Sequence, residues 1–362
     1  MVLDAVTSFL GLGASAPPSV RRPVFEITFG GDADAWRERV TSISVVAGLF
    51  PSMNAADVIF DSQGAPDIAL ADVGEIKLGY EDSESTLVFT GQILSLSRTL
   101  DRSVRLTAVD GGSALAYTRQ MGSYEQQTAG DIVKNLAGTV SLQTDVIEDG
   151  ADFPYYVVDN GRSFHQHVAA LGRKSGYIAY VSPEGKLNFK PFVAGQAVQT
   201  FAYATDILAL RVTESAPLFT QITVQGEGAA GSEGSEAWHW LMQSQAAVKG
   251  VAGSGSPISE RLDPSLRSSD AAAGAANGRI EAVNWMKIAG ELHVPGAPAA
   301  FPGSAIAITG APDDALNGQC LVRWVKHTYS KRVGFISHIG FSKVGDAAGG
   351  AGGLLETLGS LL

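Results

Sequence analysis

Two regions with the alternating pattern of β-strands enclose a region with the pattern of α-helices. Residues 24–111 contain short β-branched segments such as VFEITFG and SISVVAG, followed by GQILSLSRTLDRSVRLTAVD, which predicts a long hairpin. In that hairpin Leu94 and Leu96 alternate with serines, as expected where a sheet buries one face. Strand patterns return after about residue 200 and end with SAIAITG, CLVRWVKHTYS and VGFISHIGF. This order of strands, helical insert and strands constrains the fold more than any single motif.

The helical region, residues 112–200, contains two segments with recognisable ends. TAGDIVKNLAG predicts a helix with Thr128 at the N-cap and Gly138 at its end. In DNGRSFHQHVAALGRKSGYIAYVSPEGKLNF, Ser163 and Gln166 have the spacing of a capping box. The helix that follows this box ends before two short strand patterns, so the region is predicted to be a mixed α/β insert.

A Gly/Ser/Ala-rich stretch, residues 227–268, interrupts the second strand region and predicts a long loop with little structure of its own. The next segment, SDAAAGAANGRIEAVNW, predicts a helix that is capped by Ser269 or Asp270. The predicted organisation is an apolar N-terminal segment (1–20), a first β domain (21–111), the α/β insert (112–200), a second β domain (201–345) and a linker with a leucine-rich tail (346–362).

Composition excludes several classes of protein. The formal net charge of −11 argues against a nucleic-acid-binding protein, which needs an excess of Lys and Arg to neutralise phosphates. No apolar run reaches the ~18 residues of a membrane span, and the N-terminus lacks the positive charge of a signal peptide. The single cysteine forms no internal disulfide, which suits a reducing compartment. We therefore expect synthesis in the cytoplasm.

Three residues with reactive side chains are interpreted as structural. His165 and His167 lie two positions apart, which directs them about 200° from one another on a helix, so they are not expected to share a metal ion. Cys320 lies within a strand pattern, where a small buried hydrophobic residue is the simpler interpretation. The sequence contains no GxSxG, HExxH or paired CxxC motif.

Two further patterns resemble ligand sites, but their sequence context does not fit such sites. Gly226, Gly228 and Gly231 spell GxGxxG, but Glu227 would lie beside a bound pyrophosphate and no alternating β-α-β pattern surrounds them. An acidic group lacks the regular spacing of a calcium loop and is interpreted as a solvated turn; it consists of Asp145, Glu148, Asp149 and Asp152. We therefore predict no catalytic residues, no cofactor-binding residues and no metal ligands.

Two apolar groups are candidates for contacts with other chains. Trp238 and Trp240, in AWHWLM, are typical equally of a core and of an interface. The tail GGLLETLGSLL places most of its leucines on one side of a short helix, where they would pack on the chain itself or dock on a neighbouring subunit. These leucines are Leu354, Leu355, Leu358, Leu361 and Leu362.

The order of GQILSLSRTLDRSVRLTAVDG, TAGDIVKNLAG and DNGRSFHQHVAALGRKSGYIAYVSPEGKLNF resembles the late control protein D family. This family comprises baseplate hub proteins of contractile phage tails and related injection systems, and type VI secretion spike proteins are similar to it. The closing segments FPGSAIAITG, LNGQCLVRWVKHTYS and VGFISHIGF are similar to the same family. The resemblance covers residues 24–341 and depends on the order of the segments.

The resemblance implies a β-rich α+β fold with two β-barrel-like tube domains and an inserted α/β region. It further implies a homotrimer that forms a pseudo-hexameric ring and adapts a hexameric inner tube to a separate trimeric spike, together with other baseplate components. The expected location is the assembled phage tail or injection particle, and no enzymatic activity is expected. Two alternatives remain open: a β-rich hydrolase with Asp or Glu carboxylates, and a surface carbohydrate-binding module.

Overall fold

The computed structural model describes residues 21–31, 33–63, 66–226 and 248–344. The strands of this part of the chain are β1 (Pro23–Ile27), β2 (Val40–Gly48), β3 (Ala55–Asp61), β4 (Val73–Tyr80), β5 (Thr86–Arg98), β6 (Ser103–Val109), β7 (Gly122–Thr128), β8 (Thr144–Ile147), β9 (Asp152–Val158), β10 (Ile178–Val181), β11 (Leu187–Lys190), β12 (Gln199–Ala202), β13 (Ala209–Glu214), β14 (Gln221–Gln225), β15 (Lys249–Gly253), β16 (Ile258–Leu262), β17 (Ile288–Pro295), β18 (Ala305–Thr309), β19 (Gly318–Ser330) and β20 (Gly334–Lys343). The α-helices are α1 (Gly112–Tyr117), α2 (Ala129–Thr139), α3 (Phe164–Ser175) and α4 (Ser269–Trp285).

Twelve of the strands form one sheet that has two halves. The first half has the order β1–β4–β5–β6–β3–β2, and the second half has the order β19–β20–β17–β13. Strand β18 also pairs with β19, and β12 pairs in parallel with β18. Antiparallel pairing of β2 with β19 joins the halves. The β-rich character of the fold is confirmed, and the two strand regions of the sequence share one continuous sheet.

The first half curls around a core of its own. Trp36 is fully buried there; its indole Nε1 donates a hydrogen bond to the carbonyl oxygen of Phe29 at 3.0 Å, and its ring meets Phe60 edge-on. At the rim, the rings of Phe25 on β1 and Tyr329 on β19 are 4.9 Å apart, although no strand pairing joins β1 to β19 within the described residues. In the described part of the chain, the outer strand β1 therefore contacts β19 of the second half through side chains, without the strand pairing that would close a hydrogen-bonded barrel.

The hairpin predicted around residues 91–110 is present as β5 and β6, but a bulge changes which leucine is buried. The pairing register shifts between Ile93 and Ser95. Because one extra residue reverses the alternation of side chains, Leu94 is 47% exposed, whereas Ile93 is buried and Leu96 packs against the core. The predicted burial of Leu94 is wrong for this reason.

The insert between the two halves contains α1, α2, α3 and two small sheets, β7–β9 and β10–β11–β8. Both predicted helix starts are confirmed: the Thr128 hydroxyl accepts a hydrogen bond from the Asp131 N–H, and Ser163 and Gln166 form the reciprocal capping box. Helix α2 continues to Thr139, so Gly138 lies inside the helix and does not end it.

The stretch predicted as a long loop contains two strands in its described part. Strands β15 and β16 flank β14 in a three-stranded sheet, which we call the satellite sheet, and α4 covers its buried face. Helix α4 is capped by the Ser268 hydroxyl, which accepts from the Ala271 N–H, and not by Ser269 or Asp270. The prediction of a loop is thus wrong for β15 and β16, while residues 227–247 lie outside the described residues.

The insert and the satellite sheet share one apolar core. Leu136 and Leu171 of the insert belong to the same cluster as Ile222 of β14 and Ala275 of α4. Among the described residues, no helix is long and apolar enough to cross a membrane. The domain limits proposed from the sequence stay predictions.

Candidate docking cavity

A cavity of about 650 Å³ lies where the large sheet meets the insert and α4. The loop after β2 forms one wall, α3 and α4 form another, and β19 forms a third. Five aromatic side chains line it, those of Phe50, Tyr177, Phe219, Trp285 and Trp324. Four arginines also line it, Arg173, Arg261, Arg279 and Arg323. We call this space the arginine cavity.

Hydrogen bonds from three parts of the chain hold the loop that forms the first wall. The Phe50 N–H donates to the carbonyl oxygen of Ala179 at 2.8 Å, and the Leu49 N–H donates to that of Arg323 at 2.9 Å. The side chain of Asn54 accepts from the Gly48 N–H at 3.0 Å and donates to Val181 at 3.1 Å. The wall is therefore fixed to both the insert and β19.

His165 supports the same loop from inside the insert. Its ring stacks on Phe50 with centroids 3.9 Å apart, and it hydrogen-bonds to the backbone of Ser52. Burial lowers the pKa of His165 to about 4, so the ring is neutral at physiological pH. This histidine positions Phe50 at the edge of the cavity.

A close crossing of α3 and α4 forms the floor of the cavity. Gly176, which ends α3 in the left-handed conformation with φ of 73°, lies directly against Gly278 of α4. A Cβ atom on Gly278 would lie 2.3 Å from the Cα atom of Gly176, which is closer than any normal contact. Both positions therefore require glycine, and their contact fixes the distance between the two helices.

The lining residues give the cavity a positive charge. They include no Asp, Glu, His or Cys, although the whole chain has a net charge of −11. Burial and the neighbouring guanidinium of Arg261 lower the pKa of Arg279, and the Nε atom of Arg279 is buried with no hydrogen-bond partner. The adjacent carboxylate of Asp263 is bound by Lys174 and by the Ser265 hydroxyl. The arrangement suits a ligand that combines apolar groups with a negative charge.

The remaining residues singled out in the sequence have structural surroundings. His167 is fully buried; its Nε2 donates to the carbonyl oxygen of Asp159 at 3.0 Å and its Nδ1 lies 3.3 Å from the Tyr156 hydroxyl. Cys320 is buried, and burial raises the pKa of its thiol to about 12. The four acidic residues of the predicted turn, Asp145, Glu148, Asp149 and Asp152, are all exposed.

Of the GxGxxG pattern, only Gly226 lies within the described residues. A Cβ atom there would lie 1.9 Å from the carbonyl oxygen of Leu266, so close packing explains this glycine. The candidate docking residues of the sequence stay predictions, because they lie outside the described residues; they are Trp238, Trp240, Leu354, Leu355, Leu358, Leu361 and Leu362.

Sequence reasoning missed the arginine cavity because its four arginines belong to different elements. Arg173 is on α3, Arg279 is on α4, and Arg261 and Arg323 are on β16 and β19. No spacing along the chain connects them, so only the packing of the helices against the two sheets brings them together.

The fold is shared with proteins of phage tails. The structure superimposes on the 43 kDa tail protein of prophage MuSo2 from Shewanella oneidensis with a TM-score of 0.67 and 14% sequence identity, covering 89% of this chain and 98% of that chain. A tail protein from Neisseria meningitidis gives a TM-score of 0.66 and 13% identity, over 90% and 97% of the two chains. At this level of identity the likeness shows a common fold.

A third similar structure is an Escherichia coli protein described as a component of the type VI secretion system with similarity to the bacteriophage T4 tail proteins gp27 and gp5. Its TM-score is 0.58 at 13% identity, with 85% of this chain and 74% of that chain covered. A family model described as the Alg8 N-terminal domain matches residues 72–331. No curated protein sequence matches the chain.

Proposed function

We propose that this chain, which belongs to the Alg8 N-terminal domain family, is a structural protein of a phage tail or of a related injection particle. The observation that supports this most is the overlap of its fold with almost the whole length of two tail proteins. The lining of the arginine cavity also lacks a nucleophile paired with a histidine or carboxylate, as a hydrolase would need.

The more specific proposal is a baseplate hub of the late control protein D type, without enzymatic activity. In this role three copies form a ring that adapts the hexameric inner tube to a trimeric spike. The two half-sheets joined through β2 and β19 support it, because a subunit with two sheet regions can supply six such regions to a trimer. The protein would then be located in the assembled particle.

The mass of the full chain in solution tests the hub proposal. Light scattering should give a trimer, or a monomer that becomes a trimer when a candidate spike protein is added. A monomer under both conditions would contradict the proposal. The likeness in fold to tail proteins would then need an explanation other than trimer formation.

The arginine cavity is proposed as the docking site for the leucine-rich segment 353–362 of a neighbouring subunit. Val344, the last described residue, packs in the same cluster as Leu49 and Trp285, which line the cavity, so the chain leaves the described part beside it. Residues 345–353 span up to roughly 30 Å when extended, which is enough to reach a cavity on an adjacent copy. In the docked state the leucines of this segment pack against the aromatic walls, and the Glu356 carboxylate pairs with the arginines.

Two variants test the docking proposal separately from the trimer. Deletion of residues 346–362 and the double change Arg261→Ala with Arg279→Ala should weaken assembly to a similar extent, and combining them should have no further effect. Arg98→Ala, at an exposed arginine of the first half-sheet, is the matched control and should assemble normally. Additive losses, or unchanged assembly after the deletion, would show that the tail does not occupy this cavity even if the trimer forms.

A further inference from the structure

We propose that Glu291, His293 and His338 form a binding site for a divalent transition-metal ion, with Zn²⁺ as its simplest occupant. The proposal does not depend on the proposed function. It concerns the outer face of the second half-sheet, where β17 and β20 pair in antiparallel register.

The register of the two strands brings the three side chains together. His293 and His338 are directly opposite one another, and Glu291 precedes His293 by two positions, so all three project from the same face. On the opposite face, Leu292 and Ile339 are buried in the core of this half-sheet, which fixes the direction of the three side chains. The site is therefore built on rigid paired strands.

The distances suit coordination. The possible ligand atoms of the three residues all lie within 4.8 Å of one another. The His338 Nε2 atom is 3.3 Å from the Glu291 Oε2 atom, and the two imidazole rings are 3.8 Å apart between centroids. Ligand atoms about 2.0–2.2 Å from a zinc ion lie roughly 3.3 Å apart in a tetrahedral site, so small rotamer changes would complete the geometry.

The surroundings restrain the ligands and leave them accessible to solvent. Gly340, opposite Glu291, has no side chain, and the indole of Trp324 occupies the space above it. The Trp324 ring meets His338 edge-on at 4.7 Å and so limits its movement. The side chains of His338 and Glu291 are 27% and 51% exposed, so an ion reaches them directly from solution.

The donor set points to a transition metal. Two imidazole nitrogens and one carboxylate suit Zn²⁺, Ni²⁺ or Co²⁺ better than the oxygen-binding ions Mg²⁺ and Ca²⁺, and they leave a fourth position open. Lys326 lies opposite His338 and Arg211 lies opposite Glu291. Their positive charges make this site weaker than a structural zinc site with four protein ligands.

The three other histidines of the described residues are not available as ligands. His165 and His167 are buried and engaged as described above. The Nδ1 atom of His327 lies 2.8 Å from the Ser337 hydroxyl, and its ring also hydrogen-bonds to the backbone of Ala300. Within the described part of the chain, only the β17–β20 group brings three possible ligands together.

Titration calorimetry with zinc chloride tests the site, with the full chain first dialysed against a chelator. We expect one zinc ion per chain, and we expect His293→Asn, His338→Asn and Glu291→Gln each to weaken binding by more than about tenfold. Addition of Co²⁺ to the wild type should give visible absorption bands that the same variants lose.

Two matched controls make the assignment specific. Glu260→Gln, at an exposed acid of the satellite sheet, and His239→Asn, at the histidine outside the described residues, should bind zinc as the wild type does. Circular dichroism melts without metal identify any variant that fails to fold. The zinc affinities of the remaining variants then decide whether these residues are ligands. Absence of binding by the wild type, or undiminished binding by all three ligand variants, would overturn the proposal.

Discussion

The core of the first half of the large sheet is stabilised differently from the junction, by which we mean the contacts that join the large sheet, the insert and the satellite sheet. The first half surrounds an almost entirely apolar core with Trp36 at its centre. The junction contains the partly buried Lys174–Asp263 ion pair, between α3 and the segment after β16, and the buried carboxyl group of Asp110, between β6 and α1. The buried imidazole of His327 on β19 lines the same small pocket as Asp110. Apolar packing supplies most of the stability of a fold, whereas buried polar groups add little net stability but become costly when one partner is lost.

The comparison explains where the candidate sites lie. The first half has its own apolar core, while the arginine cavity lies at the junction and the histidine–glutamate group lies on the outer face of the second half. The following changes test whether this contrast in stabilisation is real.

The largest effect is expected from Trp36→Ala in the first half. Removal of this fully buried ring leaves a cavity and leaves the carbonyl oxygen of Phe29 without its donor, so unfolding should become easier by about 3–5 kcal/mol. Urea unfolding of the full chain measures this. Leu100→Ala, at a fully exposed leucine, is the control, and equal effects of the two changes would contradict the central role of this core.

Asp263→Asn should cost about 3 kcal/mol at the junction, because it leaves the ammonium group of Lys174 buried without its counter-charge. The side chains of Lys174 and Asp263 are only 13% and 14% exposed. Replacing Lys174 with Met and Asp263 with Leu should recover most of the lost stability. Such a recovery is expected if the loss comes from an unpaired charge, and it is not expected if the loss comes only from a missing contact. Glu81→Gln, in an exposed ion pair with Arg22, should leave the urea midpoint almost unchanged.

Gly278→Ala should destabilise the crossing of α3 and α4 by about 1–3 kcal/mol, because the new methyl group meets the backbone of Gly176. Gly274→Ala is a matched control in the same helix, since nothing lies within 4 Å of the position of its Cβ atom. Alanine there should stabilise the protein by about 0.5–1 kcal/mol through helix propensity. Thermal melts of both variants measure the difference, and shifts of the same sign would refute the close crossing.

The parts of the fold that depend on short-range interactions could be predicted from the sequence. The caps at Thr128 and Ser163 follow from residues three positions apart, and the β5–β6 hairpin follows from alternation over a few residues. The bulge at Leu94 could not be predicted, because the register depends on pairing with a separate strand. Strands β15 and β16 were missed for a similar reason, since a Gly/Ser-rich stretch becomes a strand here through pairing with β14.

The candidate sites depend almost entirely on long-range packing. His293 and His338 are distant in sequence and meet only because of the β17–β20 register. The four arginines of the cavity come from four separate elements of the fold. Each residue by itself resembles an ordinary surface residue in the sequence, so neither group could be recognised before the strand order was known.

The smallest effect concerns pH and the carboxyl group of Asp110. Burial raises its pKa from 3.8 to about 7, although the N–H groups of Gly112 and Ser113 and the side chain of Asn54 partly oppose the shift. The pKa of this carboxyl group is higher in the folded protein than in the unfolded protein. Its contribution to the free energy of unfolding is therefore fully present below pH 3.8 and is lost as the pH rises through about 7. Between pH 6 and pH 8 this group should therefore lower the free energy of unfolding by about 1 kcal/mol.

Asp110→Asn should remove this loss, since the amide keeps an acceptor for the same donors and carries no charge. His165 and His327 act in the opposite direction, because burial lowers the pKa of each to about 4 and their neutral forms favour folding at higher pH. The decisive quantity is therefore the difference in the free energy of unfolding between the variant and the wild type, measured by urea unfolding at pH 6 and pH 8. A difference that grows in favour of the variant at pH 8 supports a buried, protonatable Asp110. A constant difference would mean that the carboxyl group is already ionised in the folded protein, and the junction would then be closer to a solvated surface than to the dry interior of the first half.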